Sequence, residues 1–215
     1  MKSPIMIVIA TRNKGKSGEI RELLKDVPVT IKDLNDFGPI PEAVEDGDSF
    51  DENAYQKSSL TARVLGLPAL ADDSGLCVEA LDGAPGIYSA RYAGENASDA
   101  DNTAKLLKAL EGEKNRRAAF ECVLSLAVPT GAALTYEARC EGEILHEPAG
   151  ENGFGYDPVF YYPPLEKTFA QLSREEKSRV SHRGKALREF QSEIDKVLVW
   201  IEQQMPVQPK FECKE

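Results

Sequence analysis

Apolar positions along the chain fall into strand-like and helix-like rhythms. Residues 5–10 (Ile-Met-Ile-Val-Ile-Ala) form an unbroken apolar run, the pattern of a strand buried on both faces in a parallel sheet. Ile20, Leu23 and Leu24 then mark one face of a helix ending near Asp26. Residues 28–31 read as the next strand, so the chain opens β-α-β. Ser49 stands three residues before Glu52, the capping-box spacing. It predicts a helix running to about Leu65, stopped by Gly66 with Pro68 just beyond.

Residues 68–71 and 75–81 read as two short strands on either side of an acidic pair, Asp72-Asp73. Ser98 and Asp101 open another helix, with Leu106, Leu107 and Leu110 on its apolar face and Gly112 at its end. Residues 120–126 and 134–144 alternate as antiparallel strands. The last helix is the clearest: Leu187, Phe190, Ile194, Val197, Leu198 and Ile201 share one face at helical spacing. These elements predict one α/β unit with a mixed sheet, bent into two lobes, over residues 1–204. Residues 205–215 are expected to be a flexible tail.

Composition narrows the class. The 215 residues are 41% hydrophobic and 29% charged, with a net charge of −10. That charge argues against a general nucleic-acid surface, which needs clustered Lys and Arg. No apolar run approaches membrane-spanning length. Cys77, Cys122, Cys140 and Cys213 form no C-x-x-C pair. They read as reduced thiols of a cytoplasmic protein, small buried hydrophobes more than ligands.

Chemistry concentrates at a few places. Thr11, Arg12, Asn13, Lys14, Gly15 and Lys16 lie between a buried strand and a helix, where backbone N–H groups and the helix dipole gather phosphates. Gly15-Lys16-Ser17 matches the end of a P-loop, but the first glycine of that motif would fall at Ala10. Asp72 and Asp73, with Glu45 in the acidic loop before the Lys57 helix, suit a hard cation such as Mg2+ that completes its shell with waters and substrate phosphates. Neighbouring strand residues face opposite ways, so each Asp has its own role. Phe154, Gly155, Tyr156 and Asp157 put aromatics on flexible backbone, which suits stacking on a flat base or a packed turn. Lys177, His182 and Arg183 precede the last helix and are donors fit for carbonyl or phosphate oxygens.

Five stretches in order, TRNKGK, EDGDSFDENAYQK, ADDSGL, GFGYDP and EKSRVSHRGKAL, closely resemble the noncanonical purine nucleoside triphosphate pyrophosphatase family, the inosine/xanthosine triphosphatases. The likeness spans about residues 5–201. It implies a homodimer of subunits with a long, curved mixed β-sheet flanked by helices, two lobes and an active-site cleft between them. It implies Mg2+-dependent cleavage of ITP, dITP and XTP to the monophosphate and pyrophosphate. By this resemblance, residues 11–16 and Lys57 hold the triphosphate, Glu45 and Asp73 hold the metal, and Asp73 accepts the proton. Ser74 touches substrate, and residues 154–157 with Lys177, His182 and Arg183 hold base and sugar. Asp72 orients water or supports the metal ligands. Three other readings compete: a P-loop-type NTPase, a nucleotide sensor without turnover, and a Maf-like pyrophosphatase acting on other bases.

Overall fold

The computed structural model describes residues 4–205; the expected tail lies almost wholly outside them. A seven-stranded sheet has the order β2-β1-β3-β4-β5-β6-β7. Its strands are β1 (Met6–Ile9), β2 (Thr30–Asp33), β3 (Ala69–Val78), β4 (Arg117–Ala127), β5 (Ala133–Ile144), β6 (Phe160–Tyr162) and β7 (Lys167–Thr168). β1 runs parallel to β2 and β3, and all other pairings are antiparallel. The helices are α1 (Lys14–Leu23), α2 (Phe50–Leu65), α3 (Asp99–Ala109), α4 (Arg174–Val180), α5 (His182–Ser192) and α6 (Ile194–Gln204).

Two apolar cores occupy the two ends of this sheet. One gathers Ile7, Ile9, Leu70, Leu124 and Leu126 against Ile20 of α1 and Leu187, Phe190, Val197 and Ile201 of α5 and α6. The other gathers Leu76, Val78, Phe120, Phe160 and Phe169 with Leu106 and Leu110. β3 belongs to both, through Leu70 at one end and Leu76 at the other. Asp72, Asp73 and Ser74 lie on the stretch between them.

Three expectations need correction. The strands around the acidic pair are one: β3 passes straight through it, paired with β4 from Ala69↔Ala127 to Val78↔Ala118. Ten ladder positions and ion pairs on both faces outweigh the local turn preference of Asp-Ser-Gly. The last helix is two, α5 and α6, with Glu193 between them at φ −103° and ψ 8°. The apolar stripe survives the break because both pieces pack on the first core. At α2, Ser49 Oγ accepts the Glu52 N–H, but the Glu52 carboxylate turns back to the Asp48 N–H at 2.7 Å.

α2 lies close on β3 and β4 because small residues meet there. Ala62 packs on Ala69 and Ala127, and the Ser58 and Ser125 hydroxyls hydrogen-bond at 2.8 Å. Gly75 is needed for a close crossing: a Cβ there would lie 2.2 Å from the Gly86 carbonyl oxygen. That crossing lets Ser89 Oγ accept the Leu76 N–H at 2.9 Å.

Candidate active site

The two adjacent carboxylates of β3 face opposite sides of the sheet. Asp72 is fully enclosed. Lys16 Nζ sits 2.6 Å from its Oδ1, and Arg183 Nε 3.1 Å from its Oδ2. Ser74 Oγ donates to Oδ2 at 2.7 Å and Cys122 Sγ at 3.1 Å. Burial alone would raise this carboxyl, but Arg183 and Lys16 outweigh it and hold Asp72 well below the usual carboxylate range. The same surroundings act on the partners. Burial and the Asp72 charge push the Cys122 thiol up, so it stays a donor.

Asp73 faces α2. Its Oδ1 takes a 2.6 Å bond from Lys57 Nζ, which also reaches Glu45 Oε2 at 3.3 Å. Here burial wins: the Asp73 carboxyl is raised, with Lys57 only partly offsetting it. Burial lowers Lys57, but Asp73 and Glu45 reverse that and leave it raised. One strand thus carries a carboxylate locked as an anion beside one whose proton affinity is increased.

On the Asp72 side, its partners Lys16, Ser74 and Arg183 help to line a cavity of about 130 Å³, which neither aspartate lines itself. Asn13, Lys16, Ser74, Gly75, Phe154–Asp157, Lys177, His182 and Arg183 are among its lining residues. α1 begins earlier than the polar turn predicted: Asn13 is its N-cap, and Asn13 Oδ1 accepts the Lys16 N–H at 3.0 Å. Thr11 Oγ1 accepts the Asn13 N–H at 3.2 Å. The helix start therefore presents its backbone donors beside Lys16. Lys14 is exposed on the first turn. Arg12 goes elsewhere, with its guanidinium on the Leu34 and Gly38 carbonyls.

Phe154 lies over Gly15, where a Cβ would come within 3.0 Å of the ring. Lys177 Nζ and the Arg183 guanidinium stand 4.7 Å and 5.7 Å from the ring centroid. Asp157 is raised by burial despite its 2.6 Å bond to Lys177. It also accepts the Phe154 N–H, and Gly153 is required there because a Cβ would strike Asp157 Oδ2 at 2.0 Å. His182 stacks on Phe120 with centroids 4.7 Å apart. Burial and then Arg183 push its pKa well below normal, so it is neutral, and its buried Nδ1 has no hydrogen-bond partner among the described residues.

Several neighbours escaped the sequence reading. Glu19, one turn beyond the phosphate loop, bonds both Lys177 (3.0 Å) and Arg183. Burial would raise it, but those two cations hold it lowered. Its position on α1 facing the loop was a usable signal. Cys122, Phe120, Ser89, Asp99 and Asn102 had none, because only strand register and helix packing bring them here.

The residues fit a hard cation. Glu45 and Asp73 offer oxygen ligands only, and a cation, the Lys57 ammonium, already bridges them. No group of three His, Cys, Asp or Glu side chains among the described residues makes a self-sufficient metal cage. Substrate and water oxygens would supply the remaining ligands.

A model of the Ham1 family matches residues 7–193. The chain belongs to the Ham1 family. A dITP/XTP pyrophosphatase of Syntrophobacter fumaroxidans is 68% identical over 91% of this chain and 84% of its own length. That of Desulfotalea psychrophila is 59% identical over 93% and 90%. The solved HAM1 protein from Coxiella burnetii superposes with a TM-score of 0.83 at 44% identity, covering 89% of this chain and 99% of that one. Within this Ham1 fold, no helix among the described residues is long and apolar enough to cross a membrane.

Proposed function

We propose that this protein hydrolyses the triphosphates of deaminated purines, dITP, ITP and XTP, to the nucleoside monophosphate and pyrophosphate. One observation carries the reading: a phosphate-type helix start and a base-sized aromatic wall meet in one cavity, whose Lys16, Ser74 and Arg183 are bonded to Asp72 of the acidic pair, in a chain 68% identical to a dITP/XTP pyrophosphatase.

The α1 N-terminus with Asn13 and Lys16 takes the phosphates. Asp73, its proton affinity raised by burial, takes a proton from water. The water oxygen bonds to the α-phosphorus, the bond from that phosphorus to the α–β bridging oxygen breaks, and pyrophosphate leaves. Asp72 stays ionised and fixes Lys16 and Arg183. Glu45 and Asp73 would hold Mg2+, which when bound supplies charge neutralisation on the phosphates and a more acidic water. Phe154 stacks on the base. Arg183 and Lys177 offer donors to the 6-keto oxygen, which adenine lacks. Neutral His182 adds its unpaired ring nitrogen. Leaving buried donors unpaired disfavours ATP by about 1–3 kcal/mol for each group. We further propose a homodimer working in the cytoplasm.

The test is to assay pyrophosphate and orthophosphate in parallel after incubation with Mg2+ and dITP, XTP, ATP or GTP. Pyrophosphate from dITP and XTP, with little from ATP or GTP, is expected. Orthophosphate from ATP, or binding without turnover, would sink the proposal.

A further inference from the structure

The segment carrying Phe154 is anchored at its base, where Asn152 N–H donates to the Ala170 carbonyl and Ala149 N–H to the Pro158 carbonyl, and Lys177 bonds Asp157; its tip, residues 154 and 155, has fewer bonds. Phe154 N–H donates to Asp157 Oδ2, and Asp157 N–H to the Phe154 carbonyl at 3.3 Å. Gly155 adopts φ 62°, in the left-handed region. Its N–H donates to Asp99 Oδ2 at 2.6 Å. Asp99 is the first residue of α3, and both it and Gly155 line the cavity. It is not needed as a cap: Ser98 and Asp101 already close the capping box of that helix. The next residue, Tyr156, is buried and tied to the same wall through its hydroxyl on the Ser89 carbonyl.

The geometry points to Asp99 as a positioning residue that latches Gly155 to the start of α3 and holds the Phe154 ring at base-stacking height. This rests on the nucleotide reading above. The latch needs an acceptor, not a charge. Asn at this place can still accept the Gly155 N–H, whereas Ala cannot. The bond ties two walls of the site separated by 56 residues of chain. Losing it frees the loop tip while α3, its cap and both cores stay intact. The cost falls on substrate capture, because the loop must then be ordered at binding.

The experiment compares Asp99→Ala with Asp99→Asn in the full chain, by hydrogen exchange of the 150–158 segment and by steady-state kinetics with dITP. Asp99→Ala is expected to speed exchange about tenfold and raise KM about tenfold, with kcat within about threefold and an unchanged melting temperature. Asp99→Asn is expected to bring both readouts back to within about threefold of the parent. Unchanged exchange in Asp99→Ala overturns the latch, as does Asp99→Asn exchanging as fast as Asp99→Ala. Faster exchange with unchanged KM overturns its role in base capture. A parent protein that releases no pyrophosphate from dITP overturns the nucleotide reading instead, and the exchange data still decide whether Asp99 holds the loop.

Discussion

Asp72 and Asp73 are neighbours on one strand, yet their surroundings are opposite. Asp72 is sealed on the face shared with α1 and α5, between two cations and two neutral donors. Asp73 opens toward the acidic loop and has one cation, which it shares with Glu45. On one face, compensation exceeds the desolvation cost; on the other it falls short. The difference teaches how a sheet separates architecture from reactivity. A pleat of one residue puts an anchoring anion and a carboxyl of raised proton affinity side by side, each with its own bonded partners.

The contrast can be broken most severely at Asp73. Asp73→Asn should lower kcat by about 10²–10⁴-fold, with a melting temperature closer to the parent than that of any Asp72 variant. Equal thermal damage at both positions would erase the distinction. Asp72→Ala should cost about 3–5 kcal/mol of stability, since Arg183 and Lys16 would lose their counter-charge in a buried place. Denaturant unfolding followed by circular dichroism measures it.

Two smaller tests sharpen the picture. Glu19→Gln should raise KM for dITP by about tenfold, because it removes the charge that balances Lys177 and Arg183. Little change in kcat is expected, as Glu19 lies away from Asp73. The pH profile tests the proposed role of Asp73 as proton acceptor. Asp73 must be ionised to act, so kcat/KM falls as pH drops through its folded pKa. Because that pKa is raised, the acid limb should lie above the ordinary aspartate value of about 3.9. Lys57→Met should move the limb higher still, since Lys57 is what lowers it. A limb at or below the ordinary value would remove Asp73 from this role.

Last comes Cys122→Ala, which deletes only a weak thiol donor to Asp72. A loss of about 1 kcal/mol of stability with near-parental activity is expected. A loss as large as that of Asp72→Ala would mean that the thiol, not the cations, holds Asp72.

Stability on acidification has its own marker away from the site. Asp33 accepts from Ser17 and Arg21, and these bonds, with the Asn35 N–H, outweigh burial and bring it down to about 2. Its contribution is complete above the unfolded aspartate pKa, about 3.9. It is lost as pH falls toward 2, and Asp33→Asn should flatten that part of the unfolding curve.

Much of this was readable along the chain. Residues 5–10 announced β1 because a strand covered on both faces has no polar alternation. Ser49 and Ser98 announced α2 and α3 because unpaired helix-end N–H groups need acceptors. The charged site residues were readable as types: phosphates require cations and backbone donors, and metals require carboxylates. The break at Glu193 was not readable, since α5 and α6 keep one apolar stripe across it. Nor was the continuity of β3, whose Asp-Ser-Gly stretch reads locally as a turn.

What the sequence determined by itself was the set of elements and the chemical kinds of side chain, since periodicity, caps and charge act over a few residues. What only the tertiary structure decided was which charge meets which. Lys16, Cys122 and Arg183 come to Asp72 from three distant parts of the chain, and Lys57 to Asp73 from a fourth. Local sequence holds no record of those distances. Yet burial and counter-charge at a few ångströms are what made one aspartate a fixed anion and raised the proton affinity of its neighbour.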